Sequence, residues 1–241
     1  MRIDKLLAHT GYGTRKQVRQ LLKQNHVKVN GEEVTNHGMH VDPNLDVITV
    51  FDEVVTYSEF IYLMLNKPQD YITATYDSEH LTVLDLVPDE YLHYKLAPVG
   101  RLDIDTEGLI ILTNDGKANH RLTSPKSKIW KTYEAVVDGI VMEEHVEQFN
   151  EGITLDDGYK TKPAKLTILR NDDNHSTIEL SITEGKFHQV KRMFQAIDME
   201  VIYLKRTKIG EIQLDDRLAL GEVRPLHEKE TTWIQSLKEG E

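Results

Sequence analysis

The chain contains no cysteine among its 241 residues. That excludes disulfides, thiol nucleophiles and zinc sites built on thiolate. No apolar run approaches the ~20 residues that a membrane-spanning helix needs. The opening stretch MRIDKLLAHTGYG lacks an apolar core followed by a small-residue cleavage site, so no secretory signal is expected. The eleven histidines are scattered, without HxxxH or HExxH spacing. There is no Gly-Lys-Ser/Thr and no GxGxxG, the marks of phosphate-cradling loops. These absences lead to the expectation of a cytoplasmic protein that uses no metal, no cofactor and no membrane.

What is present is a globular composition, with 39% hydrophobic residues and a length sufficient for one large domain or two unequal ones. The net charge of −11 is unevenly distributed. Residues 1–30 carry seven basic side chains (Arg2, Lys5, Arg15, Lys16, Arg19, Lys23, Lys28) against one acid, Asp4. The remainder carries 22 basic and 39 acidic side chains, a net −17. A small polyanion-binding module joined to a domain of different character accounts for that asymmetry.

Within the basic segment, Ile3, Leu6 and Leu7 have helical spacing, and a stop is expected near Gly11–Gly13. Thr14 with Gln17 three residues on reads as a capping box. The helix it opens should bury Val18, Leu21 and Leu22, turn Arg15, Lys16, Arg19 and Lys23 outward, and close at Asn25. Val27 and Val29 alternate as a strand, Asn30-Gly31 signals a type I′ hairpin, and Val34 begins the return. A last strand over 46–51 ends the unit, and an acidic connector over 52–59 looks long enough for motion.

From Phe60 the texture changes. Strands are expected at 61–65, 109–113, 132–137, 164–169, 177–183 and 201–209. Helices are expected at 81–87, 142–151 and 188–197, with a turn at Asn114-Asp115-Gly116. Strands mixed with a few helices, without regular βαβ alternation, predict an α+β fold with a largely antiparallel sheet flanked by helices.

Three clusters carry candidate chemistry. Gly100-Arg101-Leu102-Asp103-Ile104-Asp105-Thr106-Glu107-Gly108 is a glycine-bracketed loop set against the start of an apolar strand, a common place for catalytic groups. Most loop carboxylates are merely solvated, and Asp105 and Thr106 also suit a turn. Glu184-Gly185-Lys186-Phe187-His188-Gln189-Val190-Lys191-Arg192-Met193 leads from a strand into an amphipathic helix and suits either an anionic ligand or a basic surface turn. Lys131-Thr132-Tyr133 places an aromatic in an alternating strand, where a core position is the commoner reading.

Taken in order, GRLDIDTEGLIILTNDG, KTYEAVV and EGKFHQVKRMF resemble the three active-site motifs of the RsuA branch of pseudouridine synthases. Residues 2–50 resemble the S4 RNA-binding domain that precedes the catalytic domain in that branch. The resemblance implies an S4 domain over 1–58, with Arg2, Lys5, Arg15, Lys16, Arg19 and Lys23 toward RNA, and a catalytic domain over 59–241. It implies Asp103 as the catalytic aspartate, Tyr133 as the residue stacking on the target uracil, and Lys191 as the aspartate's basic partner. Leu204 would pack on the base, and Arg101 would help extrude or hold the nucleotide. His188, Gln189 and Arg192 would also contact substrate.

The isomerisation breaks the N1–C1′ bond, turns the uracil and rejoins it through C5. A carboxylate can serve by attack at C1′ or C6, or by removing a sugar proton on the way to a glycal. These routes stay open. A cation beside a pocket carboxylate favours its charged form, the expected task of Lys191. An aromatic platform helps offset the cost of unstacking the target base. The stretch His120–Lys126 and the FHQVKRM segment resemble the small-subunit (16S) branch members more than the large-subunit ones. The expected partner is ribosomal RNA, within an assembling small subunit, engaged by a monomer. The competing expectations are a 23S rRNA target and a non-catalytic S4-type assembly factor.

Overall fold

The computed structural model describes residues 1–237; the last four positions of the expected catalytic domain, 238–241, lie outside the described residues. The chain divides into two compact units. The first comprises Met1–Ile61 and Pro88–Leu96, and the second comprises Tyr62–Val87 and the chain from Ala97 onward.

The first unit begins with α1 (Ile3–His9) and α2 (Arg15–Lys23). Thr14 caps α2 by accepting from the Gln17 amide, while the Gln17 side chain returns to the Thr14 amide, the reciprocal pairing expected of a capping box. Strand β1 (Val27–Val29) turns at Asn30 and Gly31 into β2 (Glu32–Glu33). Both turn residues have positive φ, 53° and 86°, as a type I′ hairpin requires. Strands β3 (Ile48–Val50) and β4 (Glu53–Val54) complete an antiparallel sheet in the order β2-β1-β3-β4. Ile3, Leu6, Leu7, Val18, Leu22, Val27 and Ile48 form its core, while Leu21 is only partly buried.

Part of the connector expected over 52–59 is built into the first unit. Its start forms β4, and Val55 and Tyr57 pack on the same core. Alternating apolar residues inside the acidic stretch explain the difference: Val54 extends the sheet, and Val55 and Tyr57 gain more by burial than by solvation. The segment Pro88–Leu96 adds a short helix, α3 (Asp89–Leu92).

In the second unit the elements are β5 (Tyr62–Lys67), β6 (Ala97–Pro98), β7 (Glu107–Thr113), α4 (Gly116–Thr123), β8 (Lys131–Asp138), α5 (Glu143–Glu151), β9 (Lys165–Asn171), β10 (His175–Ile182), α6 (Gln189–Gln195), β11 (Glu200–Ile209), β12 (Ile212–Gln213), β13 (Val223–Pro225) and α7 (Glu228–Ser236). The sheet order is β13-β5-β7-β11-β8-β10-β9, with β6 on β7 and β12 on β11. All pairings are antiparallel except β7 with β11. The fold is therefore α+β with a largely antiparallel sheet. Its central strands β5 and β7 are buried almost throughout, and Met64, Leu109, Ile111, Leu122, Ile209 and Ile234 meet in one core.

Three local expectations are corrected. The helix expected at 81–87 is a single 3-10 turn over Val83–Leu86, capped by Thr82 and Asp85, because Pro88 leaves no room to propagate an α-helix. The turn at Asn114–Gly116 is a helix start. Asp115 accepts from the Lys117 and Ala118 amides and from the Tyr62 hydroxyl at 2.6 Å, which opens α4. The helix expected from His188 begins one residue later, since His188 itself is left-handed, with φ 47°.

Candidate active site

The glycine-bracketed loop is held by what lies beneath it. Gly108 has φ +103°, and a Cβ there would stand 2.3 Å from the Arg206 carbonyl oxygen. Only glycine lets the start of β7 run parallel against β11, where Gly108 pairs with Arg206. Lys67, the last residue of β5, has no exposure. Its ammonium lies within hydrogen-bond reach of the carbonyls of Pro68, Asp103, Ile104 and Thr106 at 3.0, 3.1, 3.2 and 2.9 Å. Burial pushes that ammonium down to about 8, against the opposing pull of Asp105 and Asp103. Thr73 fastens the preceding residue, donating to the Leu102 carbonyl at 2.8 Å and accepting from its amide at 3.0 Å. The backbone on both sides of Asp103 is thus pinned, and its carboxylate is left about one-third exposed, at 30%.

Opposite it, α6 presents Lys191. The Lys191 ammonium donates to both oxygens of Asp105, at 2.6 and 2.7 Å, and stands 3.7 Å from Asp103. The cation expected to partner Asp103 is therefore shared, and its hydrogen bonds go to Asp105. Burial acts to raise the Asp105 carboxyl, but Lys191 and His188 outweigh it and hold it below the usual carboxylate range. His188 Nε2 lies 3.6 Å from the other Asp103 oxygen. The left-handed backbone of His188 aims the ring there, and Phe187 stacks on it at 3.8 Å between centroids while being 77% exposed.

These groups surround a cavity of about 810 Å³ whose lining includes Asp103, Tyr133, Ile182, Lys191, Leu204 and Arg206. Tyr133 on β8 and Leu204 on β11 are both buried on its floor. The Tyr133 hydroxyl has no hydrogen bond among the described residues. Arg101 is exposed on the lining and forms no ion pair or side-chain hydrogen bond among the described residues. The cavity has room for a nucleoside, with an apolar and aromatic floor and the carboxylates of Asp103, Asp105 and Glu184 on its lining.

A family model described as RNA pseudouridylate synthase matches residues 61–196, and an S4 domain model matches residues 1–47. The chain belongs to the RNA pseudouridylate synthase family. It is 48% identical over 230 residues to the Bacillus subtilis (strain 168) protein named uncharacterized RNA pseudouridine synthase YtzG, covering 95% of this chain and 96% of that one. It is 41% identical over 231 residues to the Escherichia coli (strain K12) ribosomal small subunit pseudouridine synthase A, covering 95% and 98%. A crystal structure described as pseudouridylate synthase superposes with a TM-score of 0.67 at 40% identity, covering 99% of this chain and all of that one.

Not every expected residue of this pseudouridine synthase reaches the cavity in a form free to bind. Gln189 lines it, yet its side chain is buried and engaged in the loop. It accepts from the Lys186 amide at 2.8 Å and donates to Glu184 at 2.9 Å. Arg192 points away from the lining to Asp156 and Asp157. In the S4 unit, Lys5, Arg15, Lys16, Arg19 and Lys23 are exposed, as is Arg2. The fully buried Asp4 carboxylate accepts from Arg2 at 2.9 and 3.1 Å and faces Arg19 at 3.5 Å. Against the cost of burial, those cations hold its carboxyl below the usual range. The one acid of the basic segment thus orders two cations on the surface.

Lys67 and Thr73 escaped the sequence reading. A lysine ending a strand ordinarily reaches solvent, and only the all-apolar strand before Asn66-Lys67-Pro68 hinted at burial.

Proposed function

We propose that this protein converts one uridine of small-subunit (16S) ribosomal RNA to pseudouridine, with Asp103 as the group that attacks the nucleotide. The observation that carries the reading is the convergence of Asp103, Tyr133, Leu204 and Lys191, from four separate elements, on one cavity with room for a nucleoside. In this reading the target uridine leaves its stack and rests on Tyr133 and Leu204, and Arg101 helps hold it. Lys191 presents positive charge to Asp103, with the His188 ring beside it, and Asp103 acts as a carboxylate by one of the covalent routes or by the glycal route. The bond N1–C1′ breaks, the base turns within the cavity, C5 bonds to C1′, the C5 proton leaves and N1 gains one.

The S4 unit, residues 1–58, docks the RNA through Arg2, Lys5, Arg15, Lys16, Arg19 and Lys23. The small-subunit target follows the names of the relatives and the likeness of the FHQVKRM and His120–Lys126 segments to small-subunit members. A monomer acting in the cytoplasm on an assembling subunit is the accompanying picture. Pseudouridine mapping of ribosomal RNA from cells with and without the protein tests it. One 16S position should lose its modification without the protein. A lost 23S position would move the target, and an unchanged map would leave only an RNA-binding role.

A further inference from the structure

Two cations next to the floor residues of the cavity have no part in the reading above. Arg206 lies on β11 two residues beyond Leu204, and Lys131 lies on β8 two residues before Tyr133. Side chains two apart on a strand share a face, and Arg206 is the cross-strand partner of Tyr133. Both cations line the same cavity as these floor residues. Arg206 is only 3% exposed. Its Nε donates to the Leu109 carbonyl at 2.9 Å, while its Nη2 is buried with no partner among the described residues. The Lys131 ammonium reaches only the Ile129 carbonyl, at 3.3 Å. Burial pushes it down to about 8, and Arg206 and Lys162 stand close enough to push the same way. Neither cation forms an ion pair among the described residues, whereas Lys191 in the same cavity faces two carboxylates. Two uncompensated cations beside an apolar floor are costly unless a ligand supplies negative charge.

The reaction supplies it at that place. When N1–C1′ breaks, the bond pair stays with the uracil and spreads over N1, O2 and O4. The base then lies against Tyr133 and Leu204, the immediate neighbours of the two cations. We propose that Arg206 and Lys131 form an anion pocket that stabilises the detached uracil at a ring carbonyl oxygen, as catalytic residues for the leaving group. The charge is cancelled when the ring's electrons form the C5–C1′ bond, C5 loses its proton and N1 takes one up. This rests on the pseudouridine reading. Buried donors fixed where charge develops contribute roughly 10²–10³-fold to a rate.

The test is single-turnover kinetics on an rRNA fragment carrying uridine or 5-fluorouridine at the target, with wild type, Lys131→Met and Arg206→Lys. Fluorine withdraws electrons and stabilises charge on the detached ring. Each variant should slow N1–C1′ rupture on uridine by about 10²-fold, with RNA affinity changed less than about 2-fold. On 5-fluorouridine the deficit should shrink several-fold. Equal deficits on the two substrates overturn the proposal. So does a loss confined to affinity with a shallower salt dependence, which would make the pair a contact for backbone phosphate. Lys131 is partly exposed at a strand start, so Lys131→Met decides the matter if Arg206→Lys melts early. Wild-type protein that forms no pseudouridine on ribosomal RNA would remove the functional reading itself, before any variant is compared.

Discussion

The two units use charge in opposite ways. In the first, cations are exposed and the single buried acid, Asp4, holds Arg2 and Arg19 at the surface. In the second, which is acidic overall, the cations that matter are withdrawn from solvent: Lys67 is buried under the Asp103 loop and Arg206 on the cavity lining, while Lys191 and Lys131 are half-buried on that lining. Exposed charge acts over about a Debye length and is weakened by salt. Buried charge acts over a few ångströms and resists screening, at a desolvation cost that must be offset locally. The first arrangement suits docking on a polyanion of variable conformation. The second suits fixing one nucleoside and the atoms that react with it. A net charge of −11 is therefore compatible with RNA work, because exposed cations are concentrated in residues 1–30 and the other cations are sorted by depth.

The comparison breaks most sharply at Asp103. Asp103→Asn should cut pseudouridine formation by more than about 10³-fold while RNA affinity holds; full turnover would remove it as the attacking group. Lys67→Met should come next, leaving four carbonyls without their cation at roughly 1–3 kcal/mol for each one left unpaired. A melting point drop with a collapse of kcat is expected, and a variant with wild-type kcat would show that the loop holds itself.

The pH response of the same lysine separates catalysis from stability. Its folded-state value is depressed by burial to about 8, below the roughly 10.4 of an exposed lysine. Raising the pH through 8 should weaken the clamp and lower kcat. Over the window from 8 to about 10, however, the unfolded chain binds the proton that the folded one has lost, so this group's contribution to stability rises with pH. Activity falling while urea-melt stability holds or rises is the expected signature, and a parallel fall of both would point to global unfolding.

On the docking side, charge reversal at Arg15, Lys16 and Arg19 should weaken rRNA binding and flatten its log–log salt slope by about 2–3, with single-turnover rates at saturating RNA nearly unchanged. Unaltered affinity would mean another surface docks. The smallest effect is expected at Asp4→Asn, about 1–3 kcal/mol of stability in the S4 unit, read by urea titration. For the native Asp4, whose folded value lies below the unfolded one, that contribution is present above the unfolded carboxyl range near 4 and is lost as pH falls through the folded value.

Much of the S4 unit was legible because its signals are local. The Thr14–Gln17 box, the Asn30-Gly31 turn and the alternation of Val27 with Val29 each specify a backbone state within a few residues. The strands Tyr62–Lys67 and Glu107–Thr113 were legible as apolar runs, and Asp103, Tyr133 and Lys191 as motif positions. Helices α4 and α7 were not. Asp115 is a turn residue until the Tyr62 hydroxyl and two amides find it, and Gly116 is a poor helix former whose neighbours are rescued by that cap. Nor does anything local distinguish Asp103 from Asp105 as the partner of Lys191, since the lysine lies 86 positions beyond the one it bonds.

By itself the sequence determined most of the strands, the concentration of basic side chains in residues 1–30, and the motif positions Asp103, Tyr133 and Lys191. Only the tertiary structure decided how they are wired. It buried Lys67 beneath the loop, gave the hydrogen bonds of Lys191 to Asp105, turned Arg192 toward Asp156 and Asp157, and left Arg206 with a free donor beside Tyr133. The physical reason is range. Capping, turns and alternation are settled between near neighbours, whereas burial of a charge and choice of its partner depend on strands brought together from distant parts of the chain.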